Sequence, residues 1–145
     1  MKAKNDFRMT IDSRSINEAF SRSSVAAFAA QLDPTVDEIT DIKTAVSEAV
    51  TNCIVHAYPD SVGKIYIYVA VYEDNSVKIS IRDRGVGIPD VKKAMEPLFT
   101  TLGGERAGLG FAVMESFMDK ITVRSKVGSG TTVTMLKKIS GREDK

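Results

Sequence analysis

Apolar and polar positions change period several times along this chain, and each change marks an element. Phe7, Met9 and Ile11 alternate with Arg8, Thr10 and Asp12, the period-two pattern of a half-buried strand. From Ser15 to Leu32 the period turns helical, with Ile16, Phe20, Phe28 and Leu32 on a four-residue spacing and Glu18 and Arg22 off it. Asp33-Pro34 interrupts this pattern, because the residue before a proline is pushed out of the helical region. Thr35 and Glu38 are spaced as a capping box. Val36, Ile39, Ile42, Val46, Ala49, Val50 and Cys53 then carry a second apolar stripe to about Tyr58, before Pro59 and Asp60 break it.

Two strands follow, with Ile65, Ile67, Val69 and Val71 alternating with Tyr66, Tyr68 and Tyr72. Glu73-Asp74-Asn75-Ser76 turns the chain into Val77, Ile79 and Ile81. From Asp83 to Gly108 runs a Gly- and Pro-rich stretch of roughly 25 residues with at most a short helix near Asp90 to Met95, and a connection this long is usually functional. Gly110 to Met118 reads as a helix, and Ile121 to Lys126 with Thr131 to Ile139 as a hairpin across Gly128-Ser129-Gly130. The order predicts an α/β (α+β) two-layer sandwich, a mixed sheet with helices on one face. No repeat or linker divides the chain, so residues 1–145 are expected to form one domain, with residues 1–5 and 141–145 disordered.

Composition acts mainly by exclusion. Twenty Lys and Arg are balanced by nineteen Asp and Glu, a net charge of +1, and they are scattered, which argues against direct nucleic-acid binding. One cysteine, Cys53, cannot close an internal disulfide; its place on an apolar stripe makes it core filler rather than a nucleophile and fits a reducing cytoplasm. Met1-Lys2-Ala3-Lys4 opens no apolar leader, and no run approaches the roughly twenty apolar residues that span a bilayer. A cytoplasmic protein without membrane contact is expected.

Four groups of residues suggest chemistry. Glu48 and Asn52 are spaced i, i+4 and leave one face of the second helix at the edge of its stripe. A carboxylate there can accept a proton, and an amide oxygen can be the single protein ligand of a magnesium ion. Asp83-Arg84-Gly85-Val86-Gly87 follows a strand, where a carboxylate can meet the adenine amino group and the glycines let backbone approach the base. Gly108-Leu109-Gly110 opens a helix whose free amides suit phosphate, and Thr100, Thr101 and Arg106 precede it in a glycine-hinged segment suited to a lid. Thr131, after Gly130, is placed to help hold the base through water. Taken singly, each group also fits a bland reading: a solvated helix face for Glu48 and Asn52, a plain turn at Asp83, a flexible loop at Thr100. The absence of Gly-x-x-x-x-Gly-Lys-Ser/Thr excludes a P-loop. His56, the sole histidine, continues the face of Glu48 and Asn52; with no Cys or His at metal-ligand spacing it reads as a helix-end structural residue, or, less favoured, as one that borders the phosphates.

In one order the chain carries Glu-Ala-Val-Thr-Asn-x-Ile-x-His from Glu48, Asp-Arg-Gly-Val-Gly-Ile-Pro-Asp from Asp83, Pro-Leu-Phe-Thr-Thr from Pro97 and Ala-Gly-Leu-Gly-Phe from Ala107. This set closely resembles the anti-sigma factor serine kinases of spore-forming bacteria, within the ATPase superfamily shared with gyrase, MutL and histidine kinases. The resemblance runs from about Phe7 to Lys138. It implies the Bergerat-type (GHKL) ATP-binding fold and a homodimer that binds a sporulation sigma factor and keeps it from RNA polymerase. It also implies ATP- and Mg2+-dependent phosphorylation of a serine on an anti-anti-sigma factor, leaving ADP. Glu48 matches the family's general base, Asn52 the magnesium ligand and Asp83 the adenine contact. Gly85, Gly87, Gly108 and Gly110 match the nucleotide-loop glycines, Thr100 and Thr101 the lid, and Arg22 a partner-contacting arginine.

Two departures stand out. Leu102-Gly103-Gly104 replaces the family's usual Lys-Pro-Glu, leaving Arg106 as the lid's cation, and Ala57 stands where the sporulation members often have Gly. The sequence therefore also fits an anti-sigma kinase of a stress response, or a binding module that ATP merely switches. A complete histidine kinase is disfavoured, since the sole histidine lies in the nucleotide-site helix.

Overall fold

The computed structural model describes residues 2–96 and 110–141. Strand β1 (Ala3–Asp12) leads into helix α1 (Ile16–Ala29), which tightens into a 3-10 turn (Ala30–Leu32), and then into helix α2 (Val36–Asn52). Asp33 ends the 3-10 turn with φ 57°, a left-handed conformation that Asp tolerates better than most residues. The predicted capping box forms: the Thr35 hydroxyl accepts from Glu38 N (3.1 Å), while the Glu38 carboxylate accepts from Thr35 N (2.9 Å). The Glu38 carboxylate also accepts from Ser140 N and Gly141 N, so one cap holds both a helix start and the chain's return after its last strand.

Beyond Asn52 the helix widens into a π turn (Cys53–Ala57) before strands β2 (Lys64–Tyr72) and β3 (Ser76–Asp83). A short helix α3 (Val91–Ala94), helix α4 (Phe111–Phe117) and the hairpin β4 (Lys120–Lys126) and β5 (Gly130–Lys138) complete the described elements. The β2–β3 turn is made by Asn75 at φ 70° and by Asp74, whose carboxylate accepts from Ser76 N and Oγ.

The expected two-layer sandwich is present, with strand order β1-β2-β3-β5-β4. Its sheet is not mixed, because all four pairings are antiparallel. Two helices separate β1 from β2, and a pair of antiparallel helices returns the chain to the end where β1 finished, so β2 runs back beside it. Helix α4 carries the chain to β4, which runs in the same direction as β3, but β5 folds into the slot between them. Residues 3–5, expected to be disordered, extend β1 along β2 through a bulge between Ala3 and Asn5.

One sheet face supplies Ile65, Ile67, Val69, Val77, Ile79, Ile81, Val133 and Met135 to the core, all buried. Helix α2 answers with Ile42, Ala45, Val46, Ala49 and Val50, α1 with Val25 and Ala29, and α4 with Phe111 and Met114. Each such Ile, Val or Phe adds about 1.5–3 kcal/mol by leaving water. Burying the stripe of α2 turns its other edge, with Glu48 and Asn52, towards the end of the sheet where β3 stops.

Candidate functional site

At that end a cleft opens between α2 with its π turn, the last residue of β3, the start of β5 and α4. Asn52, Cys53, His56, Asp83, Thr131 and Phe111 line it.

Asp83 is the fixed point. It is buried, and its Oδ1 accepts from Gly85 N (2.9 Å) and from Thr131 N (3.1 Å). Its Oδ2 takes the Cys53 thiol at 3.5 Å. One oxygen is thus committed to the fold, while the other faces the cleft-lining thiol, a weak donor. Thr131 lies beside Asp83: its amide holds the carboxylate, and its hydroxyl lies 2.7 Å from Ser125 Oγ, which in turn accepts from Ile88 N.

The glycines after Asp83 each stand tight against the backbone of another segment. A Cβ on Gly85 would stand 2.2 Å from the Ala57 carbonyl oxygen, and one on Gly87, at φ 81°, 2.3 Å from the Lys126 carbonyl oxygen. The close approach is to the protein's own backbone: the loop docks on the π turn through Val86 N to Ala57 O (3.0 Å), and Gly128 N reaches Val86 O (2.9 Å). Gly87 still lines the cleft, whereas Gly85 lies behind it. Gly85→Ala is expected to destabilise by about 1–3 kcal/mol, because backbone must move to admit the methyl group; denaturant unfolding measures it.

Glu48 stands one turn before Asn52 and is not among the cleft-lining residues. Its carboxylate packs against Gly110, the residue preceding α4, where an added Cβ would fall 2.2 Å from Oε1. Burial pushes the Glu48 carboxyl above its ordinary value of 4.5. A partly desolvated carboxylate of this kind is a competent proton acceptor near neutral pH. Asn52 brings an amide to the cleft wall. Among the described residues no three His, Cys, Asp or Glu side chains converge as a metal cage. The one amide oxygen of Asn52 fits an ion such as magnesium, which takes few protein ligands and draws the rest from phosphates and water.

Arg22 lies outside the cleft. Its guanidinium pairs with Glu18 one turn earlier, and the same Glu18 oxygen accepts from Ser47 on α2. The Arg22 and Ser47 donors hold the Glu18 carboxyl below its usual value. Arg22 is thereby anchored where α1 crosses α2, beside the residue that precedes Glu48. Thr100, Thr101, Arg106 and Gly108 lie outside the described residues.

Two residues outside the sequence's chosen site set also line the cleft. His56 lines the cleft, and the signal was present in its i+4 step from Asn52. Cys53 is core, as expected, but also reaches Asp83, and nothing in the spacing indicated that. Burial pushes its thiol well above the usual range, with the adjacent Asp83 carboxylate adding to the effect. No helix among the described residues is long and apolar enough to cross a membrane.

An antiparallel sheet layered with helices, with a buried carboxylate at a strand end facing an amide on the neighbouring helix, defines a class. Residues 13–137 match the histidine kinase-like ATPase domain. A protein of Mycobacterium tuberculosis with RsbU and RsbW domains shares the fold at a TM-score of 0.69 and 22% identity, over 94% of this chain and 33% of that one. The anti-sigma F factor of Caldanaerobacter subterraneus subsp. tengcongensis is 56% identical over 140 residues, 96% of this chain and 97% of the relative. That of Geobacillus kaustophilus is 51% identical over 138 residues, 94% of each. This chain belongs to the anti-sigma F factor family, built on the histidine kinase-like ATPase domain.

Proposed function

We propose that this protein is an ATP-dependent protein-serine kinase and sigma-factor antagonist. It binds and inhibits the sporulation sigma factor, sigma F, and phosphorylates and so inactivates the anti-anti-sigma factor that would release it. The observation that carries this reading is the convergence of Asn52 and Asp83 on one cleft, with Glu48 a turn away on the same helix face. The names of the 51–56% identical relatives support the sigma-factor half. The unit is proposed to be the whole chain acting as a cytoplasmic homodimer.

In this reading the adenine amino group donates to Asp83 Oδ2, and Asn52 contributes its amide oxygen to the magnesium site. Bound magnesium would supply charge neutralisation at the phosphates. Glu48 orients the acceptor serine and takes its hydroxyl proton as the new O–P bond forms and the bridging O–P bond to ADP breaks. Such transfer needs chiefly positioning and charge neutralisation, which a small residue set provides. Gly110 brings Glu48 against the start of α4, while Gly85 and Gly87 hold the Asp83 loop in place. Thr100, Thr101, Arg106 and Gly108 keep the phosphate-side roles that their sequence implies.

Incubation with labelled ATP, magnesium and the purified anti-anti-sigma factor tests the reaction. Phosphoserine on that partner is the expected product; nucleotide binding without any label would leave a protein that ATP switches but that transfers nothing. Arg22→Glu tests the docking face. Charge reversal is expected to weaken both the sigma-factor and the anti-anti-sigma complexes by on the order of tenfold or more, read by titration. Undiminished affinity for both would remove Arg22 from the interface.

A further inference from the structure

We propose that Cys53 is a specificity-determining positioning residue of the cleft. Its thiol holds Asp83 Oδ2 so that one lone pair of that oxygen stays turned to the amino group of a bound base. The inference rests on the adenine-nucleotide reading of the site and adds to it a residue that the reaction scheme does not use. Three observations carry it. Asp83 Oδ1 is saturated by the amides of Gly85 and Thr131, so recognition of a ligand falls to Oδ2. The donor on Oδ2 is Cys53 Sγ at 3.5 Å, and the thiol itself lines the cleft at 3% exposure. Cys53 also begins the π turn whose last carbonyl, that of Ala57, receives the Val86 amide. The thiol therefore joins the helix end to the carboxylate across the floor on which the base would rest.

The consequence is discrimination at one position of the ligand. A carboxylate oxygen is an acceptor only, so it suits a 6-amino purine and opposes a 6-oxo purine, whose carbonyl is also an acceptor. With the thiol gone, the two amides still hold Oδ1, but water can enter beside Oδ2 and compete for the lone pair that would face the base, which lowers the advantage of the amino base. Nothing in a purely packing role for Cys53 would distinguish the two bases.

The test titrates ATP and ITP against the whole protein and against Cys53→Ala and Cys53→Ser, with magnesium present, alongside melting curves without nucleotide. The wild type is expected to prefer ATP. Cys53→Ala should lower the ATP-to-ITP affinity ratio by about 3- to 10-fold, the effect of one modest hydrogen bond. Cys53→Ser, which keeps a donor, should restore most of the ratio even where its melting point differs. If the alanine variant melts too low to titrate, Cys53→Val, of similar volume and without a donor, takes its place. An unchanged ratio in the donor-less variant would overturn the role of Cys53 alone. A wild type that binds neither nucleotide would overturn the site reading and this inference with it.

Discussion

Asp83→Asn is expected to fold and to bind adenine nucleotide about a hundredfold more weakly than the wild type. The asparagine oxygen can still accept from Gly85 N and Thr131 N, which lie 2.9 Å and 3.1 Å from Oδ1. The new amide nitrogen then takes the place of Oδ2, where it meets the Cys53 thiol and the ligand's amino group, donor against donor. Losing a hydrogen bond to a charged acceptor costs about 1.5–3 kcal/mol, and setting two donors against each other adds to it. Asp83→Ala would be a poorer probe. It leaves two buried amides unpaired at about 1–3 kcal/mol each, so lost binding could not be told from lost folding. Calorimetric titration with ATP, alongside thermal melts, separates the two for the asparagine variant. Wild-type affinity in a well-folded Asp83→Asn protein would mean that the base does not rest on this carboxylate.

The parts of this site that could be read from sequence are those set by local rules. The helix bearing Glu48 and Asn52 follows from a stripe of period 3.6 and from the Thr35–Glu38 cap, both local. The place of Asp83 at a strand end follows from alternation through Ile81. What escaped needs contacts between distant segments. The antiparallel sheet depends on β5 inserting between β3 and β4, a choice of slot that no strand's own pattern encodes. Gly85 and Gly87 could be read as glycines needing close approach, but their partners, Ala57 O and Lys126 O, lie about 28 and 39 residues away in the chain. The π turn at Cys53–Ala57 continues an apolar stripe without any marker of its wider winding, and it is this turn that brings Cys53 and His56 to the cleft. The raised Glu48 carboxyl likewise comes from burial by packed neighbours rather than from any adjacent charge.

Glu48→Gln is expected to slow phosphoryl transfer by about 10²–10⁴-fold while nucleotide affinity stays within a few-fold. Glutamine keeps the shape that packs against Gly110 but cannot take the serine proton, and adenine recognition at Asp83 does not pass through it. The wild-type rate should rise with pH through a value above the ordinary 4.5 of a glutamate and then level off, because the ionised form is the acceptor and burial has made ionisation harder. The variant should lack that rise. Stability should move the other way. Below the unfolded carboxyl's pKa both states hold the proton, and Glu48 imposes no penalty on the fold. As pH climbs through the raised folded value, the native state must ionise a partly buried group, so the wild type loses stability that glutamine retains. Melts over about pH 4 to 8 should therefore show the variant more stable than the wild type at neutral pH and level with it in acid. A variant that transfers phosphate at the wild-type rate, with the same pH profile, would exclude Glu48 as the base and shift that role to another group at the mouth of the cleft.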